Sequence, residues 1–267
     1  MSVIALTPLD LGLAAVLVLA LAGISARLQL GIGRSLLIAA LRSAVQLTLL
    51  GLVLKVLFER VHPGLMALLA LVMLLVAGYE VMARQTRRFR GLWGIGLGTL
   101  SMALSSFSVT LLALLVIIGV KPWYTPQYLI PLLGMLLGNT MNGISISLER
   151  LTHTAWQQRT AIEARLMLGH DWNRAIGEIR RDSLKAGLIP IINAMAAAGI
   201  VSLPGMMTGQ ILGGSPPHVA ANYQIMILLL ITAGTGLGAL AAVWLGSRRL
   251  FDERQRLRLD RLRDKTH

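Results

Sequence analysis

The chain has 267 residues, of which 55% are hydrophobic, and its mean hydropathy is +0.70. This composition is too apolar for an ordinary soluble domain and indicates long segments buried in a bilayer. The net charge is +13, yet no basic patch is interleaved with aromatic residues, which argues against a nucleic-acid-binding protein. Cysteine is absent, which excludes disulfide bonds, iron–sulfur clusters and thiolate metal sites.

Seven apolar segments are long enough to cross the hydrocarbon core as helices, which takes about 20 residues. Apolar runs such as 66–76 and 111–120 do not alternate with polar residues, as transmembrane strands would. The sequence therefore predicts an all-α polytopic membrane protein with about seven transmembrane helices. The predicted segments are 9–26, 36–58, 64–83, 92–120, 128–148, 186–212 and 224–246.

The basic residues predict the orientation of these segments. If the N-terminus lies outside, 21 of the 25 Lys and Arg residues fall on the inner side, as the positive-inside rule requires. Lys55, Arg60 and Lys121 lie at outer ends. The first apolar stretch has no basic residue before it and is followed by Arg27 and Arg34, which predicts a retained helix rather than a secretory signal peptide. We predict a multi-pass protein of the inner (plasma) membrane with a cytoplasmic C-terminus.

One loop differs from the others. Residues 149–185 form a polar cytoplasmic segment that is long enough for one or two helices, whereas the remaining loops are too short for a catalytic domain. We predict a transmembrane domain over 1–247 that includes this loop, followed by a basic cytoplasmic tail over 248–267. The charged composition of the tail favours a helix on the inner membrane surface or projecting into water.

Polar side chains inside the apolar segments are candidates for a solute path, because burying them in lipid is costly. Arg42 and Gln46 lie one turn apart on one helix face. Arg42 either pairs structurally or snorkels to the headgroups, or it serves a substrate or a gate. Asn139 and Asn142 lie on adjacent turns, where they either bind a solute or hold helices together.

The sixth apolar segment contains an expected break. Pro204 lacks a backbone donor and Gly205 adds conformational freedom, so we predict that the helix breaks or kinks there. Broken helices at membrane depth commonly line a cavity, because their freed backbone groups need water or a ligand. Met206 and Met207 offer thioethers that suit either packing or a soft metal. Together with Ser202, this run is a candidate part of a substrate path.

No sequence motif indicates an enzyme. H-E-x-x-H, G-x-S-x-G and G-x-x-x-x-G-K-[ST] are all missing, and the five histidines share no metal-ligand spacing, so any metal site stays unknown. A secondary transporter and a seven-helix receptor stay open as alternatives. The first would need paired repeats or membrane carboxylates, and the second an outer ligand site or a signalling domain. Glu80 is the only carboxylate well within a predicted helix, and Arg84 explains it as a local ion pair.

The polar loop contains the pattern E-A-x3-L-G from Glu163 to Gly169. This pattern resembles the coupling loop of ABC transporter permeases, in which a short helix docks into a groove of the ATPase subunit. An apolar anchor with a charged rim suits such docking. We expect Gly169 to end the helix, because glycine adopts positive φ at little cost. The Leu-Pro that usually follows is missing, and Arg-Asp-Ser stands at 181–183 instead. The resemblance implies a coupling role for Glu163, Ala164, Arg165, Leu168, Gly169 and Ile176.

A second resemblance covers nearly the whole chain, and the run from Ser202 to Gly209 is its most distinctive part. The matching runs, in chain order, are 42–55, 168–169, 181–183, 186–190, 201–209 and 223–226. In these runs the chain resembles the FetB-type ABC transporter permease family, which includes bacterial iron-export permeases and plant relatives linked to aluminium tolerance.

This resemblance implies that 1–247 is a permease domain working with a separate cytoplasmic ABC ATPase, and that the cargo is iron or another metal ion. ATP and Mg would be bound by the partner subunit, and no cofactor by this chain. We also expect two permease subunits to form a homodimer in the bilayer. The expected substrate path comprises Arg42, Gln46, Asn139, Asn142, Ser202, Pro204, Gly205, Met206 and Met207.

Overall fold

A computed structural model describes residues 7–59 and 62–264, so residues 1–6, Arg60, 61 and 265–267 lie outside the described part of the chain. The α-helices are α1 (Pro8–Arg27), α2 (Gly33–Glu59), α3 (Pro63–Ala83), α4 (Leu92–Met102), α5 (Ser108–Leu112), α6 (Pro126–Gln157), α7 (Arg159–Met167), α8 (Trp172–Ala175), α9 (Gly177–Ala197), α10 (Gly205–Leu212) and α11 (Pro217–Arg249). Two π-helical segments, Ala103–Phe107 and Ala113–Ile118, continue α4 and α5. Two short strands, β1 (Arg87–Phe89) and β2 (Leu262–Asp264), pair antiparallel.

The predicted all-α membrane architecture is confirmed. Within residues 7–59 and 62–264, six helical stretches are long and apolar enough to cross a bilayer: Pro8–Arg27, Gly33–Glu59, Pro63–Ala83, Leu92–Ile118, Pro126–Gln157 and Pro217–Arg249. The sixth predicted segment, 186–212, is instead divided between the second half of α9 and the short α10. The predicted break is also confirmed, because the chain leaves the helix at Ala198 and α10 begins only at Gly205.

The chain divides into two compact units, and the smaller one contains α1 and α2 with residues 212–215. Pro8 occupies the first turn of α1, where a missing backbone donor costs nothing, and Thr7 and Asp10 form a capping box. The two helices approach closely near Gly33, where an added β-carbon would lie 3.2 Å from the carbonyl oxygen of Ala22. Apart from such points, most apolar side chains of α1 and α2 are exposed in the single chain, as expected for lipid-facing helices.

The larger unit is built around α6 and α11, with α9, α3 and α4 packed against them. Small residues allow this close approach. A β-carbon at Gly238 would lie 2.6 Å from Cγ2 of Thr140, and Gly143 likewise faces Thr235. Such small-residue contacts are the usual means of helix association in lipid, where apolar burial between helices gains little.

The polar loop is shorter than predicted, because α6 continues to Gln157 and α9 already begins at Gly177. Between them lie α7 and α8, in agreement with the expected one or two helices. We call residues 159–176, which contain α7 and α8, together with residues 250–264 the cap. Ile162, Ile176, Leu250, Phe251 and Leu262 of the cap are buried in one hydrophobic core with residues of α6 and α11.

The prediction of a helical tail is wrong for residues 250–264, the part of the tail after α11 that the structure describes. The last helix ends at Arg249, and residues 250–264 turn back through a 3-10 turn at Leu259–Arg261 into β2. Burial of Leu250, Phe251 and Leu262 stabilises this path, and β2 satisfies its backbone hydrogen bonds on β1. The tail is therefore a packed part of the larger unit.

Candidate functional site

The helix α7 has one face in the core and one face in solvent. Ile162 is 1% exposed, whereas Glu163 on the next position is exposed. At the end of the helix, Met167 and Leu168 are 83% and 79% exposed. Two large apolar side chains on a polar loop are unusual and mark a candidate contact for another protein. Leu168 was predicted in this role, but Met167 was not.

Gly169 ends α7 as predicted. Its φ is +85°, a conformation that glycine adopts at little cost. The Gly169 N–H donates to the carbonyl of Leu166 at 3.0 Å, and the His170 N–H donates to the carbonyl of Arg165 at 3.1 Å. These two bonds form a Schellman motif, which satisfies carbonyl groups at the helix end. The motif fixes the direction in which Met167 and Leu168 project.

Two of the predicted coupling residues, Arg165 and Ile176, make contacts within this chain. The Arg165 guanidinium donates to the carbonyl of Ala175 at 3.1 Å and to Oε2 of Glu178 at 2.5 Å. The hydrogen bond from Arg165 lowers the pKa of Glu178. Ile176 is fully buried in the core, so it cannot be part of an exposed anchor as predicted. Both residues hold α7 and α8 on the helix bundle instead. Ala164, the residue before Arg165 on α7, is half-buried.

The tail forms the second wall of a groove beside α7. This α7 groove has a volume of about 800 Å³ and is lined by Glu163, Leu166, Met167, Gly169 and His170 on one side and by residues 253–257 on the other. The Trp172 N–H donates to Oε1 of Gln255 at 3.0 Å, and the Trp172 ring lies 6.0 Å from that of Phe251. The tail is thereby connected directly to the loop that was predicted to couple.

The turn that carries Gln255 is held by a local ion pair. The Arg256 N–H donates to Oδ1 of Asp252 at 2.8 Å, and its guanidinium donates to Oδ2 at 2.8 Å. These bonds lower the pKa of Asp252, with the backbone hydrogen bond as the main cause. At neutral pH the Asp252 carboxylate is therefore charged and keeps this wall of the groove in place.

A polar pocket of about 560 Å³ lies among α3, α6 and α9, bounded by Arg84, Asn142, Ser145, Ile146, Glu149, Arg150, His153, Ala186 and Pro190. The Arg84 guanidinium donates to Oδ1 of Asn142 at 2.6 Å and lies 3.9 Å from Oε2 of Glu80, which confirms the predicted ion pair. The Thr86 N–H donates to Oε2 of Glu149 at 2.7 Å. The pocket thus presents both charges and a carboxamide to a solute.

Within the larger unit, the structure does not bring the predicted path residues into one site. Among the described residues that line the polar pocket, Asn142 alone was predicted. Asn139 donates to the carbonyl of Met135 at 2.8 Å and so binds its own helix. The other predicted residues lie on different elements: Arg42 and Gln46 are exposed on α2, Ser202 and Pro204 lie in the turn 198–204, and Gly205, Met206 and Met207 begin α10.

Several pocket residues were missed, although the sequence contains their signal. Asn142, Ser145, Glu149 and His153 are spaced by three or four residues, which places them on one face of α6. Because the predicted apolar segment ended at 148, the last two were assigned to a loop. Within residues 7–59 and 62–264, no three His, Cys, Asp or Glu side chains are grouped so that they could hold a metal ion.

Comparison with known proteins gives the family. The model of a family described as "Uncharacterised protein family (UPF0014)" matches residues 8–251, which covers α1 to α11. The chain belongs to the UPF0014 family. The "UPF0014 membrane protein slr1647" of Synechocystis is 40% identical over 83% of this chain and 85% of its own length. This membership confirms a multi-pass membrane protein.

Two further relatives confirm the resemblance drawn from the sequence. "Protein ALUMINUM SENSITIVE 3" of Arabidopsis thaliana is 32% identical over 76% of this chain and 72% of its own length. The "Probable iron export permease protein FetB" of Escherichia coli is 29% identical over 96% of each chain. No solved structure matches the chain significantly. The family match ends at residue 251, so β2 and most of the tail lie beyond it.

Proposed function

We propose that this UPF0014 protein is the membrane-spanning permease subunit of an ABC transporter, which works with a separate cytoplasmic ATPase and exports iron or another metal ion. The observation that carries the proposal is the arrangement of α7. Its exposed end presents Met167 and Leu168, while its opposite face places Ile162 in the core of the membrane helices. The name of the Escherichia coli relative, an iron export permease, supports the choice of cargo.

This arrangement suits transmission of movement from an ATPase. Packed protein interiors are dense and transmit displacement, so a push on Met167 and Leu168 would reach α6 and α11 through Ile162 and Ile176. ATP and Mg would be held by the partner. On this chain, α7 would act as the contact, and Arg165 would hold it against Glu178 during movement.

The solute path would include the polar pocket and the turn 198–204 with the α10 helix that follows it. Glu149 and His153 lie with Asn142 on one face of α6 and offer oxygen and nitrogen atoms to a cation, while Arg84 donates to Oδ1 of Asn142 in the same pocket. The turn 198–204 adds backbone carbonyl groups outside regular helix to this path, whereas the N–H groups of residues 198–202 are bonded to carbonyls of residues 194–202. Exposed apolar residues near this turn would contact the second subunit of a homodimer.

The test is co-expression of the chain with the stand-alone ABC ATPases of its source organism, followed by co-purification and uptake of Fe²⁺ into inverted vesicles. One ATPase should co-purify, and uptake should require ATP. Leu168→Asp should abolish both, because a charge replaces the apolar contact. Asn173→Asp adds the same charge on α8 outside the α7 groove and should leave both intact. Uptake that proceeds without any ATPase would replace the proposal with a secondary transporter.

A further inference from the structure

A pocket beside β1, separate from the α7 groove and the polar pocket, is rich in arginine. It has a volume of about 420 Å³ and lies where β1, β2 and the end of α6 meet. We call it the arginine pocket. Four of its lining residues are arginines and one is an acid: Arg87, Arg90, Arg159, Arg263 and Asp260.

The single acidic residue does not neutralise these arginines, because another arginine outside the lining binds it. Arg258 donates from Nε to Oδ1 of Asp260 at 2.8 Å and from a terminal nitrogen to Oδ2 at 2.9 Å. This bidentate bond lowers the pKa of Asp260 to about 2. Arg90, Arg159 and Arg263 therefore give the lining an excess of positive charge at neutral pH, which favours an anion.

The arginine side chains are held in place by their surroundings. The Arg87 guanidinium lies over the ring of Trp156, with Cζ 3.8 Å from the ring centre, and that of Arg159 lies 5.8 Å from the same ring. Arg90 donates through Nε to the carbonyl of Leu262 at 3.2 Å, which leaves its terminal nitrogens for a ligand. Cation–π stacking and the β1–β2 pairing thus orient a set of donors before any ligand binds. Planar guanidinium groups suit phosphate oxygens especially well.

The position of the pocket indicates where the phosphate comes from. Arg90 lies two residues before Leu92, which is 88% exposed and begins one of the candidate membrane spans. The ring of Trp93 follows and lies 4.7 Å from the guanidinium of Arg249, which ends another such span. Tryptophan and arginine at the ends of spans mark the headgroup level of a bilayer. The arginine pocket therefore lies beside the phosphates of the lipid leaflet.

We propose that the arginine pocket binds a phosphate group, supplied by the headgroup of an anionic phospholipid. One bound lipid would join β1, β2 and the end of α6. The tail would thereby be fixed to the membrane surface as well as to the protein core. This site is independent of the nature of the cargo and of any ATPase.

The experiment measures phosphatidylglycerol retained by the full chain, purified in detergent with a mixture of phosphatidylglycerol and phosphatidylcholine, by native mass spectrometry. The double variant Arg159→Gln, Arg263→Gln removes two guanidinium groups without touching the β1–β2 backbone pairing. We expect roughly 30-fold weaker retention of phosphatidylglycerol, from about 1 kcal/mol per basic group near a lipid surface. Phosphatidylcholine retention should not change.

The matched control is Arg27→Gln, Arg34→Gln, which removes two exposed arginines, one at the end of α1 and one at the start of α2. Retention should fall by no more than about threefold there, because scattered exposed charges are screened by salt. Equal losses in the two double variants, or equal retention by the wild type and the pocket variant, would overturn the proposal. Displacement of the lipid by millimolar inorganic phosphate would keep the phosphate site but assign it to a soluble ligand. Persistence of the lipid supports the headgroup as the source.

Discussion

The cap and the broken segment, which we define as residues 198–212, differ in how far their apolar side chains are buried. Residues 159–176 of the cap and the broken segment are both short stretches between long helices. In the cap, Ile176 and Leu250 are fully buried on the helix bundle, and the tail is paired with β1. In the broken segment, Ile200 and Val201 are 89% and 83% exposed, and no residue of α10 is buried.

This difference indicates which region covers its apolar side chains with residues of the same chain. The cap buries its apolar side chains on the chain itself, so its geometry is determined by its own sequence. The broken segment needs lipid or a second subunit to cover its apolar side chains. A surface that passes force should be rigid, whereas a surface that opens for a solute should have few fixed neighbours.

The largest expected effect concerns the side of the membrane on which the broken segment ends. The rings of Trp172 and Phe251 are in contact within the cap. The chain segment from 172 to 251 therefore begins and ends on the same side of the membrane. The 33-residue α11 is about 50 Å long at 1.5 Å per residue, which is enough to reach the opposite face. Residues 177–216 must then also cross, although α9 and α10 are separated by a turn.

Single-cysteine labelling tests this crossing, since the wild-type chain contains no cysteine. Ser215→Cys and Lys121→Cys should react with an impermeant maleimide in right-side-out vesicles, and Gln158→Cys only in inverted ones. The labelling should be all or none. Reaction of Ser215→Cys together with Gln158→Cys would mean that α9 and α10 turn back within the bilayer.

The next largest effect distinguishes a buried core residue of the cap from a residue that is exposed for contact with a partner. Ile176→Ala should lower the free energy of unfolding by about 2–4 kcal/mol, because it leaves a cavity in a closed core. Leu168→Ala should change it by less than about 0.5 kcal/mol, since that side chain is mostly exposed. Chemical denaturation in detergent measures both. A small effect of Ile176→Ala would show that the cap is loosely packed after all.

The sequence predicts regions that are determined locally better than regions that depend on distant contacts. Long apolar runs form helices without help from distant contacts, so the bounds of α1, α2 and α3 agree with the predicted segments to within three residues. The fold of the tail was not predicted, because β2 depends on pairing with Arg87–Phe89, some 170 residues earlier in the chain. Ile176 was assigned to the surface for a similar reason: an apolar residue in a polar loop does not reveal whether it faces the bundle or a partner. The E-A-x3-L-G pattern did locate the exposed end of α7.

A smaller effect on stability, with a large one on transport, is expected at Gly205. No heavy atom lies within 4 Å of a β-carbon added there, so Gly205→Leu should fold and insert normally. If the turn lines the solute path, the added side chain should block most ATP-driven Fe²⁺ uptake into inverted vesicles. Gly209→Leu, one turn along α10 and equally open, controls for added bulk and should retain more transport. Wild-type uptake by Gly205→Leu would leave the broken segment with a packing role only.

The smallest effect is expected at Glu163, which is exposed and lines the α7 groove. A carboxylate at the rim of an interface steers association more than it adds affinity. Glu163→Ala should therefore weaken ATPase binding by about two- to fivefold at low salt, the range of an exposed ion pair, with no change in stability. The difference from wild type should disappear at high salt, and Glu163→Gln should behave like the alanine variant. Association rates measured at several salt concentrations give the comparison.

The matched carboxylate is Glu253, which lines the same groove from the tail. If only α7 contacts the ATPase, Glu253→Ala should bind it as the wild type does. If the tail wall also takes part, the two variants should show the same salt-dependent loss, and the double variant should lose about the sum of the two free energies. A Glu163 variant whose binding is unaffected at low salt would mean that no basic residue of the ATPase faces this rim. The contact would then rest on Met167 and Leu168 alone.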